Sequence, residues 1–103
     1  MAADKISPIH PGEMILKDVL EPLGMSQNQL ARALKVSPRR INEIVLGKRR
    51  ITADTALRLA KYLGTSAQFW MKLQARYDLD VAEDAVGEKI EKEIDPLEKE
   101  KAA

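Results

Sequence analysis

The chain has 103 residues with a net charge of +1, 45% hydrophobic and 32% charged, which suits one domain with a single small core. It has no cysteine and one histidine, which excludes disulfides and thiolate metal sites and leaves neither a metal centre nor a nucleophile–base pair to be built on His10. No apolar run approaches the roughly eighteen residues of a membrane span, and the opening MAADKISPIHPGE lacks the apolar stretch of a signal peptide, so a soluble, cytoplasmic protein is expected.

Punctuation predicts five helices and no strand, an all-α fold. Pro11 opens the first, to about Glu21, with Ile15, Leu16, Val19 and Leu20 on one face and Pro22 and Gly24 as its end. The second runs from about Gln27 to Leu34 behind Ser26, and the third from Pro38 to Leu46 behind Ser37, with Gly47 as its stop. Thr52 caps a fourth, Ala53 to about Leu63, which carries Ala56, Leu57, Leu59, Ala60 and Leu63 inward and stops at Gly64. Ser66 caps a fifth, running to about Ala85. The expected organisation is an irregular N-terminus (1–9), a helical domain whose last helix dimerises (10–85) and a charged tail (86–103).

Residues Ser26 to Gly47, SQNQLARALKVSPRRINEIVLG, read as a helix-turn-helix, the motif that lays its second helix in the major groove of DNA. Leu30, Ala31 and Leu34, then Val36 in the turn, then Ile41, Ile44 and Val45 form the wedge between two crossing helices. A helical hairpin of some other all-helical domain would share this pattern. The surrounding charge argues for DNA: from Ser26 to Arg50 seven basic residues (Arg32, Lys35, Arg39, Arg40, Lys48, Arg49 and Arg50) face one acid, Glu43. Such a local excess, on a nearly neutral chain, is the footprint of a phosphate-binding surface.

Wound at about 100° per residue, the third helix turns Ile41, Ile44 and Val45 inward and Arg39, Asn42, Glu43 and Leu46 outward, with Arg40 on a flank. Arg39 has the fork that grips guanine O6 and N7, and Glu43 can accept from cytosine N4; the two can instead pair with each other along the helix. Gln27 and Asn28, at the start of the second helix, are placed for phosphates. Lys48, Arg49 and Arg50 either hold the DNA backbone or form an ordinary solvated loop. With Ser37 and Pro38 at the start of the third helix, and Lys35, these make the candidate DNA-binding set. Lys35 occupies the turn, where positive φ is expected and glycine is the usual residue; a lysine there costs on the order of 1 kcal/mol.

The fifth helix carries two apolar stripes. Trp70, Leu73, Tyr77 and Val81 form one, the lid of the domain's own core, and Met71, Ala75, Leu79 and Ala82 the other, with Gln74 and Asp78 between them on one side and Lys72 and Arg76 on the other. The Met71 stripe is expected to be a homodimer contact, extended by Ile90 and Ile94, because a monomer would leave it exposed. Two-fold pairing also suits recognition helices that meet successive major grooves about 34 Å apart. From Tyr77 to Ala103 ten acids face four lysines. This acidic end is either solvated or, through Ile90, Ile94 and Leu97, a docking segment.

HPGEMILKDVLEPLGMSQNQLARAL and ITADTALRLAKYLGTSAQFWMKLQARYDL, with the motif between them, resemble the HigA (VapI-type) antitoxins of the Xre/Cro helix-turn-helix group, over His10 to about Val81. HPGE and the TS-x-x-FW-x-x-LQ-x-x-YDL ending are more particular than the helix-turn-helix itself. The resemblance implies a five-helix, lambda-repressor-like DNA-binding domain. It implies a homodimeric repressor of its own operon that binds double-stranded operator DNA and a HigB toxin, a RelE-like messenger RNA endonuclease. By position it places Gln27, Ser37, Arg39, Arg40 and Glu43 at the operator. The departure is Lys35, where many relatives carry glycine.

A sequence-specific DNA-binding repressor and antitoxin is therefore expected, with no catalytic residue, metal, cofactor or small-molecule ligand. A stand-alone Xre-type regulator without a toxin is the alternative, and a protein-interaction module that has lost DNA binding a third possibility. An enzyme has little support, because no motif gathers the carboxylates with a base, metal ligand or phosphate loop.

Overall fold

Every helix starts on a side chain that accepts a hydrogen bond from the first turn. The computed structural model describes residues 7–98. In it α1 spans residues 11–23, α2 Gln27–Leu34, α3 Pro38–Val45, α4 Ala53–Leu63 and α5 Ala67–Glu93, with no strand among the described residues. Ser37, Thr52 and Ser66 accept from the main chain of Arg40, Thr55 and Phe69. Ser26 closes a reciprocal box: its hydroxyl accepts from the Gln29 N–H at 3.0 Å, and its own N–H donates to Gln29 Oε1 at 2.7 Å. His10 caps α1, with Nδ1 accepting from the Gly12 N–H at 2.9 Å. Each cap satisfies a donor that the helix leaves unpaired.

Three of the helices end in one geometry. At Gly24, Lys35 and Gly47 the residue takes positive φ and its N–H returns to the carbonyl three back, while the next N–H reaches the carbonyl five back. Lys35 is the only non-glycine with positive φ among the described residues, at φ 60° and ψ 42°, as the turn requires. In α1, Ile15–Leu20 wind as a π-helix between α-helical Pro11–Met14 and Glu21–Leu23. Pro22 lies within the last turn, two residues before the stop at Gly24. It donates no hydrogen bond, and the wider π turn leaves its ring room beside the preceding carbonyls.

The core is Ile15, Val19, Leu20, Leu30, Ala31, Leu34, Ile41, Ile44, Ile51, Ala56, Leu59 and Trp70, drawn from all five helices and the α3–α4 loop. The expected wedge is present: Leu30, Ala31, Leu34, Ile41 and Ile44 are buried, and Val36 and Val45 pack half-buried against them. α1 approaches α3 through Gly12, which is buried. Trp70 is buried with its indole N–H donating to Thr65 Oγ1 at 2.8 Å, the lid expected of it.

Several expectations need correction. Leu57, placed inward by periodicity, is 63% exposed, because α4 buries only the narrow face of Thr55, Ala56 and Leu59 and leaves Leu57 lining an open surface hollow with Lys35 and Lys61. Helix α5 runs eight residues past Ala85, taking in Val86 to Glu93. The helix has no stop signal at Ala85; the first residue unable to continue it is Pro96. Gln74, which separates the two stripes on one side, is buried, whereas Val81 of the expected core stripe is exposed. Met71 leans half-buried against the core, which leaves Ala75, Leu79 and Ala82 as the open part of its stripe, with Ile90 and Ile94 also exposed. The last residues of the expected tail, 99–103, lie outside the described residues, as do 1–6 of the expected N-terminus.

Candidate nucleic-acid interface

Helix α3 presents its outer face between the start of α2 and the loop that follows it. Arg39 projects from the first turn with a side chain 82% exposed. Its Nε donates to Glu43 Oε2 at 2.9 Å, so in the free protein the two pair along the helix, one of the two possibilities open in the sequence. The other carboxylate oxygen of Glu43 is taken as well, by Arg49 Nε at 2.8 Å and Nη2 at 2.7 Å. Hydrogen bonds from these two guanidinium groups hold the Glu43 carboxyl below its ordinary range. Glu43 is thus a bridge between α3 and the following loop.

Arg40 turns away from that face, toward α4. Its Nη1 donates to Asp54 Oδ1 at 2.8 Å and to Thr55 Oγ1 at 3.4 Å, and Arg58 Nε shares the same Asp54 oxygen at 2.8 Å. Hydrogen bonds from Arg58 and Arg40 hold the Asp54 carboxyl low. Arg58 also donates to the carbonyls of Leu34 at 2.9 Å and Lys35 at 3.4 Å, covering the C-terminal end of α2 at the left-handed turn. Asn42 donates to Gln27 Oε1, which ties the recognition helix to the start of α2. Asn28, Lys35, Ser37, Pro38, Lys48, Arg49 and Arg50 are exposed.

Residues outside the motif complete the arrangement. Arg50 Nη2 donates to Asp78 Oδ2 on α5 at 2.7 Å, and Ile51 N–H donates to the buried Gln74 Oε1 at 2.7 Å. The His10 ring lies edge-on to Tyr77, centroids 4.8 Å apart. The HPGE and LQ-x-x-YDL segments thus become intelligible: His10 caps α1 and meets Tyr77, Gly12 admits α3, and Gln74 and Asp78 hold the loop after it. Asp54, Gln74 and Asp78 were not legible as partners, because they stand 14, 23 and 28 residues from Arg40, Ile51 and Arg50. The local signals were the spacings of four residues between Asp54 and Arg58 on α4 and between Gln74 and Asp78 on α5. Among the described residues no group of three or more His, Cys, Asp or Glu side chains could hold a metal ion, and no helix is long and apolar enough to cross a membrane.

The chain matches the helix-turn-helix family model over residues 16–70. It is 54% identical over 80 residues to virulence-associated protein I of Dichelobacter nodosus, covering 78% of this chain and 74% of that protein. Its fold superposes on the Pseudomonas aeruginosa antitoxin HigA, solved with the higBA promoter, with a TM-score of 0.85 and 52% identity over 87% of this chain and 98% of that one. The chain belongs to the HigA family of helix-turn-helix antitoxins. Antitoxin HigA-1 of Vibrio cholerae is a more distant relative, 34% identical over 79 residues, covering 77% of this chain and 74% of that protein.

Proposed function

We propose that the chain is a sequence-specific double-stranded DNA-binding repressor of its own operon and the antitoxin of a toxin–antitoxin pair. The observation that carries the reading is the face of α3: an exposed arginine at its first turn, a carboxylate fixing that arginine, and a cationic loop directly behind it. Arg39 reads guanine, while Lys48, Arg49 and Arg50, with the start of α2 at Gln27 and Asn28, grip the backbone. The likeness to an antitoxin solved with its promoter supports this reading.

The protein acts as a homodimer, through the stripe of Met71, Ala75, Leu79 and Ala82 extended by Ile90 and Ile94, so that two α3 helices meet successive major grooves. Its protein partner is a HigB-type toxin, and it works in the cytoplasm, where both partners are reached, by binding alone and without a catalytic step. The experiment is recovery of the duplexes retained by the protein from a random-sequence pool, with co-purification of the neighbouring gene product. A two-fold-related consensus and a small toxin in the complex are expected. Recovery of unselected sequences would remove the repressor, and a protein that never retains the toxin would leave a stand-alone regulator.

A further inference from the structure

The loop behind the recognition helix is held by one turn of α5. Gln74 is polar yet only 1% exposed, and both ends of its amide are used. Its Oε1 accepts from the Ile51 N–H at 2.7 Å, and its Nε2 donates to Asp78 Oδ1 at 3.0 Å. The second oxygen of Asp78 accepts from Arg50 Nη2 at 2.7 Å. The backbone of residue 51 and the side chain of residue 50 are therefore fixed together by two residues one turn apart on α5. At the other end of the loop Gly47, with φ 76°, lies on the His10 side, where a Cβ placed on it would stand 3.8 Å from the ring.

We propose that Gln74 and Asp78 are positioning residues for DNA: the buried amide orients Asp78, and Asp78 holds Arg50 in the pose that meets a backbone phosphate. The proposal rests on the DNA-binding reading above. An isolated exposed ion pair does little, because it must immobilise two flexible side chains at once. Here one partner is already immobilised by an amide that cannot move without exposing the Ile51 N–H to an unsatisfied, buried state. Arg50 thus gives up its rotamer freedom on folding rather than on binding. A guanidinium has five N–H donors, so engagement by one carboxylate oxygen leaves donors for a phosphate. A preset phosphate contact fixes register, and register matters only in the one docked arrangement on the specific site.

The test uses the full chain, a duplex selected by the wild type and a scrambled duplex, with binding followed by fluorescence anisotropy over a salt series. Arg50→Ala is expected to weaken both duplexes about tenfold and to lower the salt slope by about one. Asp78→Asn, at an exposed position that keeps the acceptor for Gln74, is expected to weaken the selected duplex at least about threefold. It should leave the scrambled duplex unchanged or slightly tighter, and have no further effect in the Arg50→Ala background. Gln74→Leu should repeat that pattern with a lower denaturant midpoint. Equal weakening of both duplexes by Asp78→Asn, tighter binding of the selected duplex, or the same loss with and without Arg50 would overturn the proposal. If Arg50→Ala alone changes neither duplex, the DNA-binding role of the loop fails instead, and the proposal with it.

Discussion

Gly12 lies against the main chain of the recognition helix, so that a methyl group placed on it would stand 1.8 Å from the carbonyl oxygen of Ile44 and 2.9 Å from Val45 Cα. Both are backbone atoms and cannot swing aside as the end of a long side chain would. Gly12→Ala must therefore push α1 off α3, at an expected loss of about 3 kcal/mol, the upper end of ordinary overpacking. The check is the urea midpoint, which should fall with an unchanged slope. A wild-type midpoint would mean that the two helices separate without cost.

Lys35 stands where Gly24 and Gly47 stand in the same end geometry, and it carries the same positive φ. Replacing it with glycine removes a Cβ that crowds the carbonyl, and part of that gain is offset by the freer unfolded chain. We expect a net stabilisation of roughly 0.5 kcal/mol, with slightly weaker DNA binding from the lost cation. A lower midpoint at unchanged slope would show that the lysine stem contributes packing that outweighs the strain.

The five helices, four of their five N-caps and most of the wedge were legible because each is written within a few residues: Ser26, Ser37, Thr52 and Ser66 before the helices, Gly24, Gly47 and Gly64 after them, and apolar residues at helical spacing between, whereas the cap on His10 was not read. Even the left-handed turn at Lys35 was legible, since the crossing of two helices demands it. Burial was less so. Leu57 and Gln74 share their faces with residues of opposite fate, and periodicity reports a face without its width. The partners of the interface arginines were illegible for a different reason. Asp54 and Asp78 come from helices packed beside the motif, and tertiary ion pairs leave no trace in spacing.

His10 gives a pH dependence whose sign follows from its surroundings. Burial pushes its imidazole below the ordinary value of 6.5, and this outweighs Asp78 and a hydrogen bond to the Arg49 backbone, both of which raise it. In the window just below 6.5 the unfolded chain therefore binds more protons, so stability is full above that value and is lost as pH falls. Glu43 and Asp54, held low by their arginines, stay ionised through this window and lose their contributions only at more acidic pH. The thermal midpoint should fall between about pH 7 and about pH 5 in the wild type, and fall less in His10→Asn, which keeps an N-cap acceptor. Identical slopes for the two proteins would remove His10 as the source.

Leu79 is 69% exposed at the centre of the open stripe on α5, between Asp78 and Asp80. If the stripe is the two-fold contact, Leu79→Glu places two unpaired charges across the axis and should yield monomers. Sedimentation at micromolar concentration decides it: a wild-type dimer and a monomeric variant are expected. A variant that still sediments as a dimer would place the contact elsewhere.

The central claim is that α3 reads sequence through Arg39. The most direct measurement is equilibrium binding of the wild type and Arg39→Ala to the selected duplex and to random duplex at one salt concentration. The variant should lose about 1–3 kcal/mol on the selected duplex, much less on the random one, and should accept substitution at one base position per half-site. Loss of affinity by the same factor on both duplexes would contradict the claim and reduce Arg39 to a backbone contact.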